Sequence, residues 1–246
     1  MSITTKLIAL TFILFCFNPI FANGKTLDHS GAKKECVILL HGLARSRSSL
    51  EKMEIALKKT GYSVVNVDYP SRHYAIEILS RQYVSQAVEQ CHSTSANQIH
   101  FVTHSMGGIL VRYYLAHNQL NILGRVVMLS PPNKGSEIVD KLADFPGFYA
   151  FNGPAGQQLE TTETSLPNQL KPIDYPVGII TGNRSINLIL SLLIPGDDDG
   201  KVSIENAKLA GMTDFLVVPH THPMIMRSNL VIRQTMHFLQ QEIFQK

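Results

Sequence analysis

Apolar and polar residues alternate along the chain in blocks that predict β-strands and α-helices in turn. Short, continuously apolar runs bounded by Gly or Pro predict buried strands, and longer stretches with apolar residues at helical spacing predict amphipathic helices. The predicted strands are residues 35–42, 62–70, 98–103, 125–132, 176–182 and 215–219, and the predicted helices are residues 46–59, 75–91, 106–117 and 226–243. This order predicts an α/β protein with a mostly parallel central sheet and helices on both faces.

Two irregular stretches interrupt the alternation. Residues 133–175 contain Gly, Pro, Asn and Thr without clear periodicity, and they are long for a plain loop in a compact domain. We expect an insertion over one end of the sheet, partly helical near residues 136–143. Residues 183–200 form the second stretch and end in GDDDG. Because the sequence has no repeats and no clear linker, residues 23–246 are predicted to form a single domain.

The first 22 residues differ from the rest of the chain. Lys6 precedes an apolar run over residues 7–17, and Ile20-Phe21-Ala22 follows Pro19. This pattern is typical of a signal peptide that is cleaved after Ala22, and it predicts a secreted or periplasmic protein. An uncleaved membrane anchor is the alternative, although the apolar run is shorter than the about 20 residues that a spanning helix needs.

Two cysteines, Cys36 and Cys91, remain after such a cleavage. Cys36 begins the first predicted strand and Cys91 ends a predicted helix, so a βαβ crossover would bring both to the same end of the sheet. Export to an oxidising compartment then favours a disulfide between them. The alternative is two separate buried thiols.

Composition narrows the class of protein. The chain has 246 residues with 44% hydrophobic and 17% charged residues, which is typical of a folded globular protein. The formal net charge of +3 is small and the basic residues are scattered, so nucleic-acid binding is not expected.

The stretch HFVTHSMGGIL, residues 100–110, carries the first chemical signal. It runs from a predicted strand through a turn into a predicted helix. Such a turn projects a serine hydroxyl away from the sheet, as a nucleophile requires. Small residues two positions either side of the serine relieve crowding at the turn; here they are Thr103 and Gly107. Ser105 is therefore the predicted nucleophile, although Thr103 departs from the usual glycine.

A serine nucleophile needs a base that accepts its proton. We predict that His222 is this base, because it follows the last predicted strand and precedes the last predicted helix. His220 is a competitor that follows Pro219 directly. His104 adjoins Ser105, but its side chain is expected to diverge from the serine and to serve packing.

The base needs a carboxylate that orients it. Asp199 is the first choice, because the following Gly200 defines a turn with a set side-chain direction. Asp198, Asp197 and, less favourably, Asp68 are the alternatives. Three adjacent acids could also bind Ca²⁺, but the loop has too few oxygen ligands in a suitable arrangement, and no metal site is predicted.

Two backbone N–H groups are needed to stabilise the oxyanion of an acyl-transfer reaction. One is predicted at Met106, directly after the nucleophile. The other is predicted at Leu43, in the loop after the first strand, where Gly42 permits an unusual backbone path. His41 is expected to anchor this loop.

Read in order, LHG, THSMGG, DGKV and TH resemble the α/β-hydrolase fold, whose chain order is Ser, Asp, His. The strings CVILLHGLARS, VVNVDYPSR, SPPNKGSE and GKVSIENAKLAGM look like those of exported bacterial lipases and carboxylesterases. The resemblance covers residues 35–244. It implies a triad of Ser105, Asp199 and His222, with Leu43 and Met106 as the oxyanion donors.

The resemblance also implies an activity. The expected enzyme is a monomeric serine hydrolase that cleaves small or lipid carboxylic esters through an acyl-enzyme, with no cofactor and with transient contact to lipid surfaces. Residues 133–175 and 183–196 would cover the site, with the following candidates to line it or form a lid: Phe145, Phe148, Tyr149, Phe151 and residues 188–194. Ordinary core packing is the alternative for these side chains. An acyltransferase, a thioesterase and a binding protein on a hydrolase scaffold are the alternative functions.

Overall fold

The computed structural model of the chain describes residues 34–186, 191–192 and 194–246, and six strands form its central sheet. In chain order the strands are β1 (Glu35–Leu40), β2 (Ser63–Val67), β3 (Gln98–His104), β4 (Leu123–Leu129), β5 (Val177–Gly182) and β6 (Asp214–Val218). They lie in the order β2-β1-β3-β4-β5-β6, and each neighbouring pair is parallel. All six therefore end at the same edge of the sheet.

Helices connect the strands. They are α1 (Glu51–Lys59), α2 (Ile76–Leu79), α3 (Ser85–Ser93), α4 (Met106–His117), α5 (Glu137–Leu142), α6 (Phe148–Gln157), α7 (Leu166–Gln169), α8 (Ile204–Ala207) and α9 (Asn229–Gln241). A π-helical turn over Ser80–Val84 joins α2 to α3, and 3₁₀ turns at Arg47–Leu50 and Ile225–Arg227 precede α1 and α9. The predicted parallel α/β architecture is confirmed, with strand and helix ends shifted by a few residues.

The alternation of side chains along β1 divides the core between the two faces of the sheet. Cys36, Ile38 and Leu40 point to the face that carries α2, α3 and α4, whereas Val37 and Leu39 point to the face that carries α1 and α9. Each face has its own buried apolar cluster. The near-continuous apolar composition of the strands follows from this burial on both sides.

A disulfide joins Cys36 in β1 to Cys91 in α3, with a Cα–Cα distance of 5.7 Å. Cys36 pairs with Ile99 near the start of β3, so the bond lies near the edge at which the strands begin. The predicted pairing is therefore confirmed, and the bond joins β1 to the helix that connects β2 with β3.

The segment between β4 and β5 contains three helices, α5, α6 and α7, and is more ordered than its sequence predicts. Inside α6 the chain kinks at Gly153, whose φ is +66°, directly before Pro154. The buried guanidinium of Arg112 connects α4 to this segment. It donates to the carbonyl oxygens of Asn133 at 2.9 Å and Pro167 at 3.1 Å.

Some sequence predictions fall outside the described residues. The predicted signal peptide, residues 1–22, is one of them, and residues 187–190 and 193 of the second irregular stretch are others. In the part of the chain that is described, no helix combines the length and the apolar character that crossing a membrane requires.

The disulfide is expected to stabilise the fold. Its cysteines are 55 residues apart, and a cross-link that closes a loop of this size contributes about 3–4 kcal/mol. Replacing both Cys36 and Cys91 by Ala should therefore lower the free energy of unfolding by about this amount, measured by urea denaturation. The free energy of unfolding of the wild-type protein should fall by a similar amount when a reducing agent is present. An unchanged urea midpoint in both experiments would contradict the Cys36–Cys91 disulfide.

Candidate active site

Ser105 lies in the turn between β3 and α4, in a backbone conformation that residues with a side chain rarely adopt. Its φ is +53° and its ψ is −126°, and holding such a conformation costs about 1–3 kcal/mol. The Ser105 N–H donates to the carbonyl of Leu129 at 2.8 Å, and the Gly108 N–H donates to the carbonyl of Ser105 at 2.9 Å. The turn is thus held from both sides, and its geometry directs the Ser105 side chain out of the sheet.

Gly107 allows α4 to begin directly against the end of β1. A Cβ at this position would lie 2.5 Å from the carbonyl oxygen of Leu40 and 2.9 Å from that of His41. Both contacts are to backbone atoms, which cannot move aside without shifting the strand. The first turn of α4 is therefore close-packed on β1 because residue 107 has no side chain.

The structure accommodates Thr103, which stands where the usual serine motif has glycine. Thr103 is fully buried, and its hydroxyl points toward the carbonyl of Val127 at 3.5 Å. A Cβ at Gly108 would lie 3.4 Å from the Thr103 hydroxyl oxygen. This is an ordinary van der Waals distance, so the buried Thr103 side chain packs beside α4 without overlap.

His222 and Asp199 form a chain of contacts that ends at Ser105. The Nε2 atom of His222 is 3.0 Å from the Ser105 Oγ, and its Nδ1 atom is 2.8 Å from the Asp199 Oδ2. An ionised carboxylate only accepts hydrogen bonds, so Nδ1 carries the proton and Nε2 accepts the Ser105 O–H. The three residues predicted from sequence are therefore brought together, in the order that activation of a serine hydroxyl requires.

The loop after Asp199 holds its carboxylate in place. The other oxygen, Oδ1, accepts the N–H groups of Lys201 and Val202, each at 3.0 Å. The carbonyl of Asp199 also accepts the N–H of His222 at 2.8 Å. Burial acts to raise the pKa of Asp199, but the charge and hydrogen bond of His222, together with the Val202 N–H, outweigh it and lower that pKa. Asp199 is thus held ionised beside His222.

The other candidate acids have different partners. Asp198 accepts the N–H of Gly200 at 2.6 Å and the hydroxyl of Ser191 at 2.9 Å, so it shapes the same loop. Asp197 is exposed. Asp68 accepts the N–H of Arg47 at 3.0 Å on the other side of the site.

The competing histidines also bind elsewhere. The Nε2 atom of His220 is 2.7 Å from the hydroxyl of Ser228. His104 is buried beside His222: its Nε2 atom is 3.0 Å from the His222 carbonyl oxygen, and the ring centroids are 4.9 Å apart. Burial, followed by the repulsion that protonated His222 would exert, holds the pKa of His104 well below its usual range. His104 therefore packs against the predicted base as a neutral ring.

The loop with the predicted oxyanion donor Leu43 lies directly against Ser105. A Cβ at Gly42 would be 3.0 Å from the Ser105 Cβ. Ala44 adopts a left-handed φ of +55°, and its N–H donates to the Ser71 hydroxyl at 3.0 Å. Met106 is the first residue of α4, where backbone N–H groups have no partner within the helix. The oxyanion role of Leu43 and Met106 stays a prediction.

Tyr69 supports this loop, and the sequence analysis did not single it out. Its ring stacks on that of His41 with centroids 4.0 Å apart, and its hydroxyl donates to the His41 carbonyl. Burial lowers the pKa of His41, against the opposing effects of Gly42 and Asp68. Tyr69 could have been found from its position after β2, because β2 is the neighbour of β1 in the parallel sheet.

An apolar cavity of about 250 Å³ opens over Ser105 and His222. Its walls come largely from the segment between β4 and β5, through the following side chains: Ile138, Val139, Leu142, Phe148, Phe151 and Leu159. Phe151 contributes from the rim, because 61% of its surface is exposed, whereas Phe145 and Tyr149 do not line the cavity. The segment thus lines the site as predicted, but only two of its four candidate aromatic residues contribute. Residues 188–194 fall mostly outside the described part of the chain.

Comparison with known proteins agrees with this architecture. A family model described as the alpha/beta hydrolase family matches residues 37–187. A search of curated protein sequences gave no significant match.

Solved structures of several lipases are similar in fold. The mature lipase BlEst2 of Bacillus licheniformis is 21% identical, with a TM-score of 0.70 over 85% of this chain and 93% of that one. Phospholipase PlaB of Legionella pneumophila is 18% identical, with a TM-score of 0.64 over 83% of this chain and 57% of that one. The monoacylglycerol lipase of Paleococcus ferrophilus is 16% identical, with a TM-score of 0.56 over 85% of this chain and 95% of that one. The chain therefore spans little more than half of the Legionella protein.

The close approach of α4 to β1 predicts a difference between two neighbouring glycines. Gly107→Ala should lower the free energy of unfolding by about 1–3 kcal/mol, because the new methyl group overlaps two backbone carbonyls. Gly108→Ala meets its neighbours no closer than 3.2 Å and gains helix propensity, so it should be nearly neutral. Denaturant unfolding of both variants measures the difference, and equal midpoints would show that α4 can move away from β1.

The buried neutral His104 predicts a loss of stability in mild acid. Below pH about 6.5 the unfolded chain binds a proton at this residue that the folded state excludes, so the free energy of unfolding falls by up to about 1.4 kcal/mol per pH unit. His104→Gln should reduce the slope of stability against pH between 6 and 5, measured by urea unfolding. Exposed His92→Gln is the matched control and should keep the wild-type slope. Identical slopes for all three proteins would mean that His104 is protonated in the folded state.

Proposed function

Because the chain belongs to the α/β-hydrolase family, we propose that it is a serine hydrolase that cleaves carboxylic esters. The observation that carries this proposal is the chain of hydrogen bonds from Asp199 through His222 to Ser105, at the base of an apolar cavity. The similarity in fold to bacterial lipases is consistent with it.

The first half of the reaction acylates Ser105. Its Oγ attacks the ester carbonyl carbon while the Nε2 atom of His222 accepts the hydroxyl proton. The carbonyl oxygen becomes an oxyanion, which accepts hydrogen bonds from the N–H groups of Leu43 and Met106. When the tetrahedral intermediate collapses, the bond to the alcohol oxygen breaks and His222 gives that oxygen its proton. An acyl-enzyme and a free alcohol result.

The second half releases the acid. Water attacks the acyl carbon while His222 accepts one of its protons, and the bond to the Ser105 Oγ then breaks. His222 returns the proton to Ser105, so the enzyme is regenerated. Asp199 stays ionised throughout and stabilises the imidazolium form of His222, as its lowered pKa favours.

The cavity favours a short acyl group. Its volume of about 250 Å³ is below the range of about 300–1,000 Å³ that is common for drug-sized ligands, and its walls are mainly aliphatic and aromatic. We therefore propose esters of short fatty acids as the best substrates, which a series of p-nitrophenyl esters of increasing chain length would test.

We also propose that the protein is exported. The Cys36–Cys91 disulfide supports this, because such bonds persist in oxidising compartments. The apolar N-terminal run supports a signal peptide as the route.

Substitutions in the hydrogen-bonded chain test the mechanism. Ser105→Ala should lower kcat for p-nitrophenyl butyrate by about 10⁶, because no hydroxyl remains to attack. Asp199→Asn should lower kcat by about 10⁴, because the amide favours the wrong tautomer of His222.

The neighbouring acids provide matched controls. Asp197→Asn and Asp198→Asn change the same charge in the same loop but leave the contact with His222 intact. Both should retain kcat within a few-fold of wild type. Full activity of Ser105→Ala would remove the proposed mechanism, and a larger loss in Asp198→Asn than in Asp199→Asn would reassign the orienting carboxylate.

A further inference from the structure

A second, larger cavity adjoins the one over Ser105. It is an open groove of about 660 Å³ between the loop after β1, the loop after β2 and the turn before α9. Three arginines line it: Arg45, Arg72 and Arg227. One carboxylate, that of Asp68, shares the groove, so its charged side chains are positive on balance.

The guanidinium groups of this groove have no anionic partner among the described residues. The arginine and lysine ion pairs among the described residues involve other side chains, such as Arg125 with Glu242 at 2.9 Å. Asp68 already accepts the Arg47 N–H at 3.0 Å and lies 3.7 Å from the Nε2 atom of His41. Guanidinium groups that share a concave site without such partners are suited to bidentate contacts with an oxyanion such as phosphate.

The groove adjoins the apolar cavity at Arg45. Arg45 lines both of them, since it follows the loop that holds Leu43 against Ser105. Arg72 provides a second contact between the groove and the cavity. Its guanidinium lies 5.6 Å from the ring centroid of Phe151, and Phe151 lines the apolar cavity. A single molecule bound at Ser105 can therefore extend from the apolar cavity into the groove.

Positive charge also gathers at the opening of the apolar cavity. Arg45 and Lys201 are the cationic side chains that line it. Lys201 is an exposed residue, and partial desolvation, followed by repulsion from Arg45, lowers its pKa. An anion bound near Arg45 would relieve this repulsion.

We propose that the groove binds a phosphate-type anionic head group on the alcohol part of the ester, while the acyl part fills the apolar cavity. This inference rests on the proposed function and narrows its substrate class to anionic amphipathic esters. Arg45 and Arg227 are assigned as head-group residues, and Arg72 as the residue that joins the groove to the wall formed by Phe151.

The test compares two esters that differ only in the head group. The substrates are 1-hexanoylglycerol and 1-hexanoylglycerol 3-phosphate, used as dispersed monomers, and the readout is hexanoate release. For wild type, kcat/KM should be at least about tenfold higher for the phosphate ester, because a single hydrogen bond between charged groups is worth about that factor. This preference should fall as NaCl is raised from 0.05 to 0.5 M, since the groove is open to solvent.

Variants test which residues are responsible. Arg227→Gln and Arg45→Gln should each reduce the ratio of the two kcat/KM values by about fivefold to tenfold, mainly through KM for the phosphate ester. Arg233→Gln, an exposed arginine of α9 outside the groove, is the matched control and should leave both substrates unchanged.

The outcomes separate this inference from the proposed function. Hydrolysis of neither ester by wild type would mean that the proposed function has failed. Hydrolysis of both at equal kcat/KM, or a ratio that Arg227→Gln and Arg45→Gln leave unchanged, would overturn the head-group inference alone. A preference seen only with long-chain esters in vesicles would also overturn it, because the arginines would then bind a lipid surface and not the substrate's own phosphate.

Discussion

The contact between the first turn of α4 and the end of β1 is the constraint on which the site depends. Gly107 lets the helix backbone approach the Leu40 carbonyl, and Ser105, with its positive φ, makes the turn from β3 into this helix. The same approach presses the loop of Gly42 and Leu43 against the serine. Nucleophile, predicted oxyanion donors and cavity opening are thus set by one packing contact, and the strain at Ser105 is compensated by the buried core on both faces of the sheet.

Parallel pairing explains how residues far apart in the chain meet at this contact. All six strands end at one edge, so the loops after β1, β3 and β6, together with the segment that precedes β6, converge there without any long-range tether. The Cys36–Cys91 disulfide lies near the opposite edge, where strands begin. The disulfide and the candidate active site therefore lie at opposite edges of the sheet.

The sequence was sufficient for the parts that depend on local pattern or strand order. Apolar runs located all six strands, and the placement of Ser105, Asp199 and His222 after strands anticipated their meeting. What it could not provide depends on contacts between separate loops. Asp199 and Asp198 are distinguished only by their contacts in the folded chain. The Asp199 carboxylate contacts His222, whereas the Asp198 carboxylate accepts the N–H of Gly200. Likewise, the kinked helix α6 places Phe148 in the cavity wall and the largely exposed Phe151 at its rim, whereas Tyr149 does not line the cavity.

The arginine groove could not be predicted from the sequence either, because Arg45, Arg72 and Arg227 come from three segments with no charge cluster in any of them.

The proposed function depends on the reactivity of the Ser105 hydroxyl, and covalent labelling measures that reactivity most directly. A fluorophosphonate forms a bond between its phosphorus and an activated serine oxygen and releases fluoride. The account predicts one adduct per chain, located on Ser105 by peptide mass spectrometry, with activity lost in proportion to labelling. Loss of activity with Ser105 unlabelled, or an active protein that the reagent never modifies, would contradict it.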